Sequence, residues 1–99
     1  MKGSFTFDRK DREALVAFAA ELVAVESPSG REERAIRLVA ERMRALGYDE
    51  VWIDGFGNVL GRIGSGGRTV LFDSHADTVG VDDAGLWAAP PFSGTVRDG

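Results

Sequence analysis

Apolar positions first recur along this chain at helical spacing. Between Asp8 and about Glu26, Leu15, Phe18, Ala19, Leu22 and Val23 line one stripe, while Arg9, Lys10, Asp11 and Glu13 open the segment in water. The pattern predicts a first helix over 8–26. It stops at Ser27-Pro28, because the residue before a proline avoids the helical region. Ser29-Gly30-Arg31-Glu32 then has the form of a capping box, in which the Ser29 hydroxyl and the Glu32 carboxylate satisfy free backbone N–H groups. The second helix is expected over 30–46, with Ala35, Ile36, Val39, Met43 and Leu46 inward. Gly47 supplies the left-handed position just past its end.

After Gly47 the period changes from helical to extended. Strands are predicted over 50–54, 58–63 and 68–74, with Gly55, Gly57 and Gly64-Ser65-Gly66-Gly67 marking the turns. The last turn is too short for a crossover, so the second and third strands should pair antiparallel. Val70, Leu71 and Phe72 make the third strand apolar on both faces, as expected of a central strand covered on each side. The fold class is therefore α/β, a helix-covered mixed sheet with functional residues leaving the carboxyl end of a central strand. From Gly80 onward the pattern dissolves, and nothing there supplies the outer helix that the third strand needs. The expectation is an incomplete amino-terminal part of one domain spanning 1–99.

Composition narrows this picture in a few places. Hydrophobic residues make up 43% and charged residues 28%, ordinary globular usage. Twelve basic against 16 acidic residues give a net charge of −4, which argues against nucleic-acid and anionic-membrane partners. Arg31, Arg34, Arg37, Arg42 and Arg44 mostly alternate with glutamates on one helix and read as a solvated face. Without cysteine there are no disulfides or thiolate metal sites. The opening MKGSFTFDRKDRE becomes charged before a signal-peptide core can form, and the longest apolar run, Ala14–Ala20, is far below the roughly 20 residues that span a bilayer. A cytoplasmic location is the expectation.

The candidate chemistry sits in Thr69–Val79, TVLFDSHADTV. His75 is the only histidine, and Asp77 follows two residues later, on the same side of an extended backbone. The Asp77 carboxylate can fix the imidazole tautomer and leave the other ring nitrogen for a metal. Small neighbours Ser74 and Ala76 leave room for an ion. Bland alternatives stand beside each reading: His75 as a hydrogen-bonded structural group, Asp77 as a loop-capping aspartate. Asp73 reads as a hydrogen-bonding residue beside the site, and Asp82 and Asp83 as solvated loop charges. Trp87, Pro90, Pro91 and Phe92 form either a substrate-facing wall or a loop clamped on the core. The Gly64–Gly67 run lacks the Lys-Ser/Thr of a phosphate loop, and a triad through Ser74 or Ser93 requires a strained pose.

LFDSHADTV, preceded by SPSGREE and GNVLGRI and followed by W-x-x-x-P-F and a closing DG, resembles the acetylornithine deacetylase, succinyl-diaminopimelate desuccinylase and carboxypeptidase family of zinc metallohydrolases. The resemblance runs over nearly the whole chain. It implies the amino-terminal portion of a zinc-peptidase-like α/β/α catalytic domain, interrupted in the whole protein by a smaller lid or dimerisation domain. It further implies two zinc (or cobalt) ions that cleave amide bonds of acylated amino acids or short peptides, with His75 as a zinc ligand and Asp77 as the carboxylate that orients it. A homodimer through the lid is a further implication. In the family, a closing Asp-Gly is followed by a bridging aspartate, a glutamate base and further ligands, none of which has a counterpart here. The chain alone is therefore expected to be inactive. A non-catalytic truncated fragment or interaction module is the alternative.

Overall fold

A computed structural model describes residues 4–99. The first helix, α1, spans Arg9–Val23. Asp8 caps it: its carboxylate accepts from the Asp11 N–H at 3.0 Å, and the Asp11 carboxylate accepts from the Asp8 N–H at 3.0 Å. The helix ends three residues earlier than the periodicity predicts, well ahead of Pro28. None of its residues is buried, so the stripe expected to be core is largely open. Phe18 is half-buried, with the Arg42 guanidinium 5.5 Å from the ring centre, a cation–π contact of about 0.5–1 kcal/mol at exposed sites.

The second helix, α2, spans Glu33–Ala45 and does not begin at residue 30. Gly30 has φ +84°, and the Arg31 N–H donates to the Pro28 carbonyl at 2.8 Å, closing a turn that needs a left-handed third residue. A left-handed Gly30 cannot start a right-handed helix. The expected capping box is absent: the Glu32 carboxylate accepts from the Gly30 N–H, and the Ser29 hydroxyl is engaged elsewhere. At the far end the reading holds. Gly47 has φ +83°, its N–H donates to the Arg44 carbonyl, and the Tyr48 N–H donates to the Met43 carbonyl, the Schellman arrangement. Ala35 and Ala40 are the buried apolar residues among those described.

Strands β1 (Glu50–Ile53) and β2 (Val59–Arg62) pair antiparallel in the register Glu50–Arg62, Val51–Gly61, Trp52–Leu60 and Ile53–Val59. A methyl added at Gly61 would lie 2.5 Å from Tyr48 Cδ2 and 2.8 Å from Met43 Sδ. The face carrying Val51, Val59 and Gly61 thus lies under α2 and Tyr48, and the hydrogen side chain of Gly61 lets them approach. Asp54 closes the hairpin: one carboxylate oxygen accepts from the Phe56 and Asn58 N–H groups, the other from the Asn58 side-chain amide.

The third strand expected over 68–74 does not form, and the pairing is between β1 and β2, not between the second and third predicted strands. Val70, Leu71 and Phe72 are 72%, 82% and 92% exposed. Their apolar character is that of a central strand, but a strand exists only when another backbone takes its hydrogen bonds, and none of the described backbone lies alongside. The described architecture is thus two helices and a two-stranded antiparallel sheet covered by α2, a small α/β assembly in place of the expected mixed sheet. The radius of gyration is 16.3 Å, where a compact chain of this length has about 13 Å. The accessible surface is 8650 Å², against about 5,500 Å² for a compact monomer of this mass.

Beyond residue 80, one 3₁₀ turn (Ala84–Leu86) is capped by Asp83, whose carboxylate accepts from the Gly85 N–H at 2.9 Å. Asp83 is thus a local cap. Trp87 to Val96 folds over Ala19, Ala20 and Val23 of α1 around a groove of about 410 Å³. Gly94, with φ +63°, sits where a side chain would lie 2.7 Å from the Ala20 carbonyl oxygen. The close approach to α1 is made by the Gly94 backbone, while Trp87 and Phe92 stay 55% and 39% exposed, so the aromatics do not clamp this loop on the core.

Candidate metal-ligand site

The site is assembled where the turn before α2 meets the segment around residue 77. Pro28 and Thr78 form an isolated parallel bridge, with the Thr78 N–H donating to the Ser27 carbonyl at 2.9 Å. Ser27, 3% exposed, donates its hydroxyl to the Ala76 carbonyl at 3.1 Å. Two backbone stretches 49 residues apart are therefore fastened on both sides of Asp77.

Within that clamp the side chains line up. The Ser29 hydroxyl donates to Asp77 Oδ2 at 2.5 Å. Asp77 Oδ1 lies 3.0 Å from His75 Nδ1, and the Asp77 carbonyl oxygen is also 3.0 Å from that nitrogen. Both groups facing Nδ1 are acceptors, so Nδ1 carries the proton and Nε2 presents its lone pair. The His75 side chain is 84% exposed and that of Asp77 39%. The Asp77 carboxyl is held below the ordinary carboxylate range, chiefly by the Ser29 hydroxyl; partial desolvation opposes this and the His75 contact adds to it.

The two residues singled out from sequence are brought together. The others are not. Asp73 and Asp82 are exposed and make no side-chain hydrogen bond among the described residues, and Ser93 pairs with Thr95. Ser29 bonds Asp77 and does not cap α2 as its spacing predicts. The signal that places it correctly is Gly30, whose position in a Pro-Ser-Gly-Arg turn sets Ser29 on the outer corner, not at a helix cap.

As a metal centre the site is partial. Among the described residues no three His, Cys, Asp or Glu side chains gather closely enough to hold an ion. The described residues bring together one imidazole and one carboxylate, against the three or four protein ligands a zinc site usually has.

Relatives carry the same stretch. A protein of Escherichia coli K12 named uncharacterized protein YgeY is 41% identical over 90 residues, covering 90% of this chain and 22% of its own length. The succinyl-diaminopimelate desuccinylase of Xanthobacter autotrophicus is 38% identical over 90 residues, covering 85% of this chain and 24% of the relative. That of an Azoarcus species is 33% identical over 86 residues, covering 85% and 23%. By sequence, this stretch is similar to one part of proteins named succinyl-diaminopimelate desuccinylase. The chain spans about a quarter of the length of these curated relatives, so the desuccinylase match is to one part of them. No protein-family model matches the chain. No solved structure matches it either. Among the described residues, no helix is long and apolar enough to cross a membrane.

Proposed function

We propose that this chain is the amino-terminal part of a metal-dependent, cytoplasmic amidohydrolase that cleaves amide bonds of N-acylated amino acids or short peptides, an N-succinyl group being the acyl class its named relatives suggest. The observation that carries this reading is the Ser29–Asp77–His75 arrangement, which leaves one imidazole nitrogen turned outward beside a carboxylate. His75 contributes one ligand to a zinc (or cobalt) centre, and Asp77 fixes the ring. A pair of such ions supplies an activated water and a Lewis acid for the scissile carbonyl. The other ligands and the general base come from outside these 99 residues, and dimerisation through a lid domain belongs to the whole protein. Nucleic acid and membranes are not partners in this reading.

Titration of the 99-residue chain with Co²⁺, followed by NMR, tests the assignment. The expected result is weak, non-saturating broadening that reaches the His75 ring first and is lost in His75→Ala. Broadening confined to carboxylates elsewhere would overturn it. Calorimetry with zinc should show no tight site, and a stoichiometric sub-micromolar one would refute the incompleteness of the ligand set.

A second reading has its own observation in favour. About 3,000 Å² of surface beyond that of a compact monomer, with Leu71, Phe72, Val79 and Leu86 all more than four-fifths exposed, suits a non-catalytic fragment acting as an interaction module. The coding sequence separates the two. A reading frame that continues past Gly99 into further acidic ligands favours the hydrolase, and a stop codon there favours the module.

A further inference from the structure

We propose that Ser29 is a positioning residue: its hydroxyl ties down one oxygen of Asp77 so that the other holds His75 in the Nδ1–H tautomer, with Nε2 free to bind. A carboxylate with both oxygens loose can rotate away from a ring that is itself largely in solvent. Here one oxygen is fixed by a 2.5 Å bond to Ser29, and that fixes where the second oxygen points, 3.0 Å from Nδ1. Ser29 is in turn held on a turn closed by the Pro28 carbonyl and the Arg31 N–H, with Gly30 in the left-handed region. The adjacent Pro28–Thr78 bridge sets the distance between that turn and Asp77. The hydroxyl thus acts on the imidazole through Asp77 without touching it.

The inference rests on the metal-site reading for why the tautomer matters, but the tautomer is measured without metal. His75 is the only histidine, so long-range ¹H–¹⁵N correlation of the labelled chain reports this ring alone. The spectra are recorded at alkaline pH, where imidazoles are neutral. The native chain should show an Nδ1–H majority, whereas a free ring favours Nε2–H. Ser29→Ala should lower the Nδ1–H to Nε2–H ratio by about three- to tenfold, the fold-change of an ordinary net hydrogen bond, because the untethered carboxylate holds the ring for less of the time. The Asp77 carbonyl oxygen retains part of the preference. Ser29→Thr, which keeps the hydroxyl, should restore it.

The Thr78 amide, bonded to the Ser27 carbonyl, reports whether the clamp survives. A shifted tautomer with an unchanged Thr78 amide and rescue by threonine supports positioning. An unchanged tautomer in Ser29→Ala overturns it, as does a native ring dominated by Nε2–H. A tautomer that shifts only together with loss of Thr78 protection also overturns it, since Ser29 is then part of the scaffold. Failure of the Co²⁺ titration would sink the metal reading and leave these outcomes untouched.

Discussion

Replacing Gly61 by alanine tests the packing of the hairpin beneath α2. The added methyl would lie 2.5 Å from Tyr48 Cδ2, 2.8 Å from Tyr48 Cε2 and 2.8 Å from Met43 Sδ. Carbon atoms pack at about 3.5–4.0 Å, so about 1 Å of displacement is required. Met43 can rotate aside at little cost. The Tyr48 ring cannot easily, because the Schellman closure fixes its backbone between α2 and β1. Gly61 itself has an ordinary backbone, so the cost is steric, about 1–3 kcal/mol for overpacking of this kind. That corresponds to roughly 5- to 150-fold faster opening of the hairpin. Hydrogen exchange reads this out at the Asp49 and Asp54 amides, which bond to the Arg62 and Asn58 carbonyls at the two ends of the ladder. Amides in α1, which Gly61 does not touch, serve as the internal control. Exchange at Asp49 and Asp54 unchanged in the variant would falsify the claim that Tyr48 and Met43 rest on Gly61.

Two further outcomes follow from the same structure. The Asp54 carboxyl is held below its ordinary range, first by the Asn58 side-chain amide and then by the Asn58 backbone N–H. A lowered folded-state value means that its stabilisation of the hairpin is fully present above about pH 4 and is lost as the pH falls through that lower value. The Phe56 and Asn58 amide shifts should therefore titrate with a midpoint below that of a free aspartate; a midpoint at or above it refutes the turn. For the exposed 68–74 segment, replacing Leu71 and Phe72 by lysine should leave the helical signal unchanged, because neither side chain packs on anything described, while reducing self-association seen by light scattering. A loss of helix in that double variant would mean that the two side chains are buried in solution.

Much of the fold was legible because its causes are local. Gly47 ends α2 through its own left-handed backbone, and the strands predicted over 50–54 and 58–63 form as a hairpin whose turn residue, Asp54, bonds within five residues. Where the reading failed, the cause was competition or distance. Ser29 and Glu32 satisfy the spacing of a capping box, yet the left-handed Gly30 between them ends any helix there, and the hydroxyl finds a better acceptor 48 residues away. The third strand failed differently. Its sequence pattern describes an environment, apolar on both sides, and that environment requires backbone that the described residues do not provide.

The site was half legible for a related reason. His75 and Asp77 are two residues apart, so extended geometry puts their side chains on one side, where they meet at 3.0 Å. Nothing in that local relation says how the carboxylate is aimed, because a side chain with two equivalent oxygens and free rotation has no preferred direction in water. The direction comes from a contact across the chain, and such contacts are legible only when the intervening topology is known. Ser27 makes the same point from the other side: its small hydroxyl, buried against the Ala76 carbonyl, looks in the sequence like one more polar residue before a proline. Substituting it by alanine would leave that carbonyl without its donor in a covered position, where loss of a hydrogen bond carries a desolvation cost of about 1–3 kcal/mol. The residues that hold a candidate ligand in place can thus be chemically plainer than the candidate itself. Here they are the two serines flanking Pro28, the first fixing the backbone beside Asp77 and the second fixing its carboxylate.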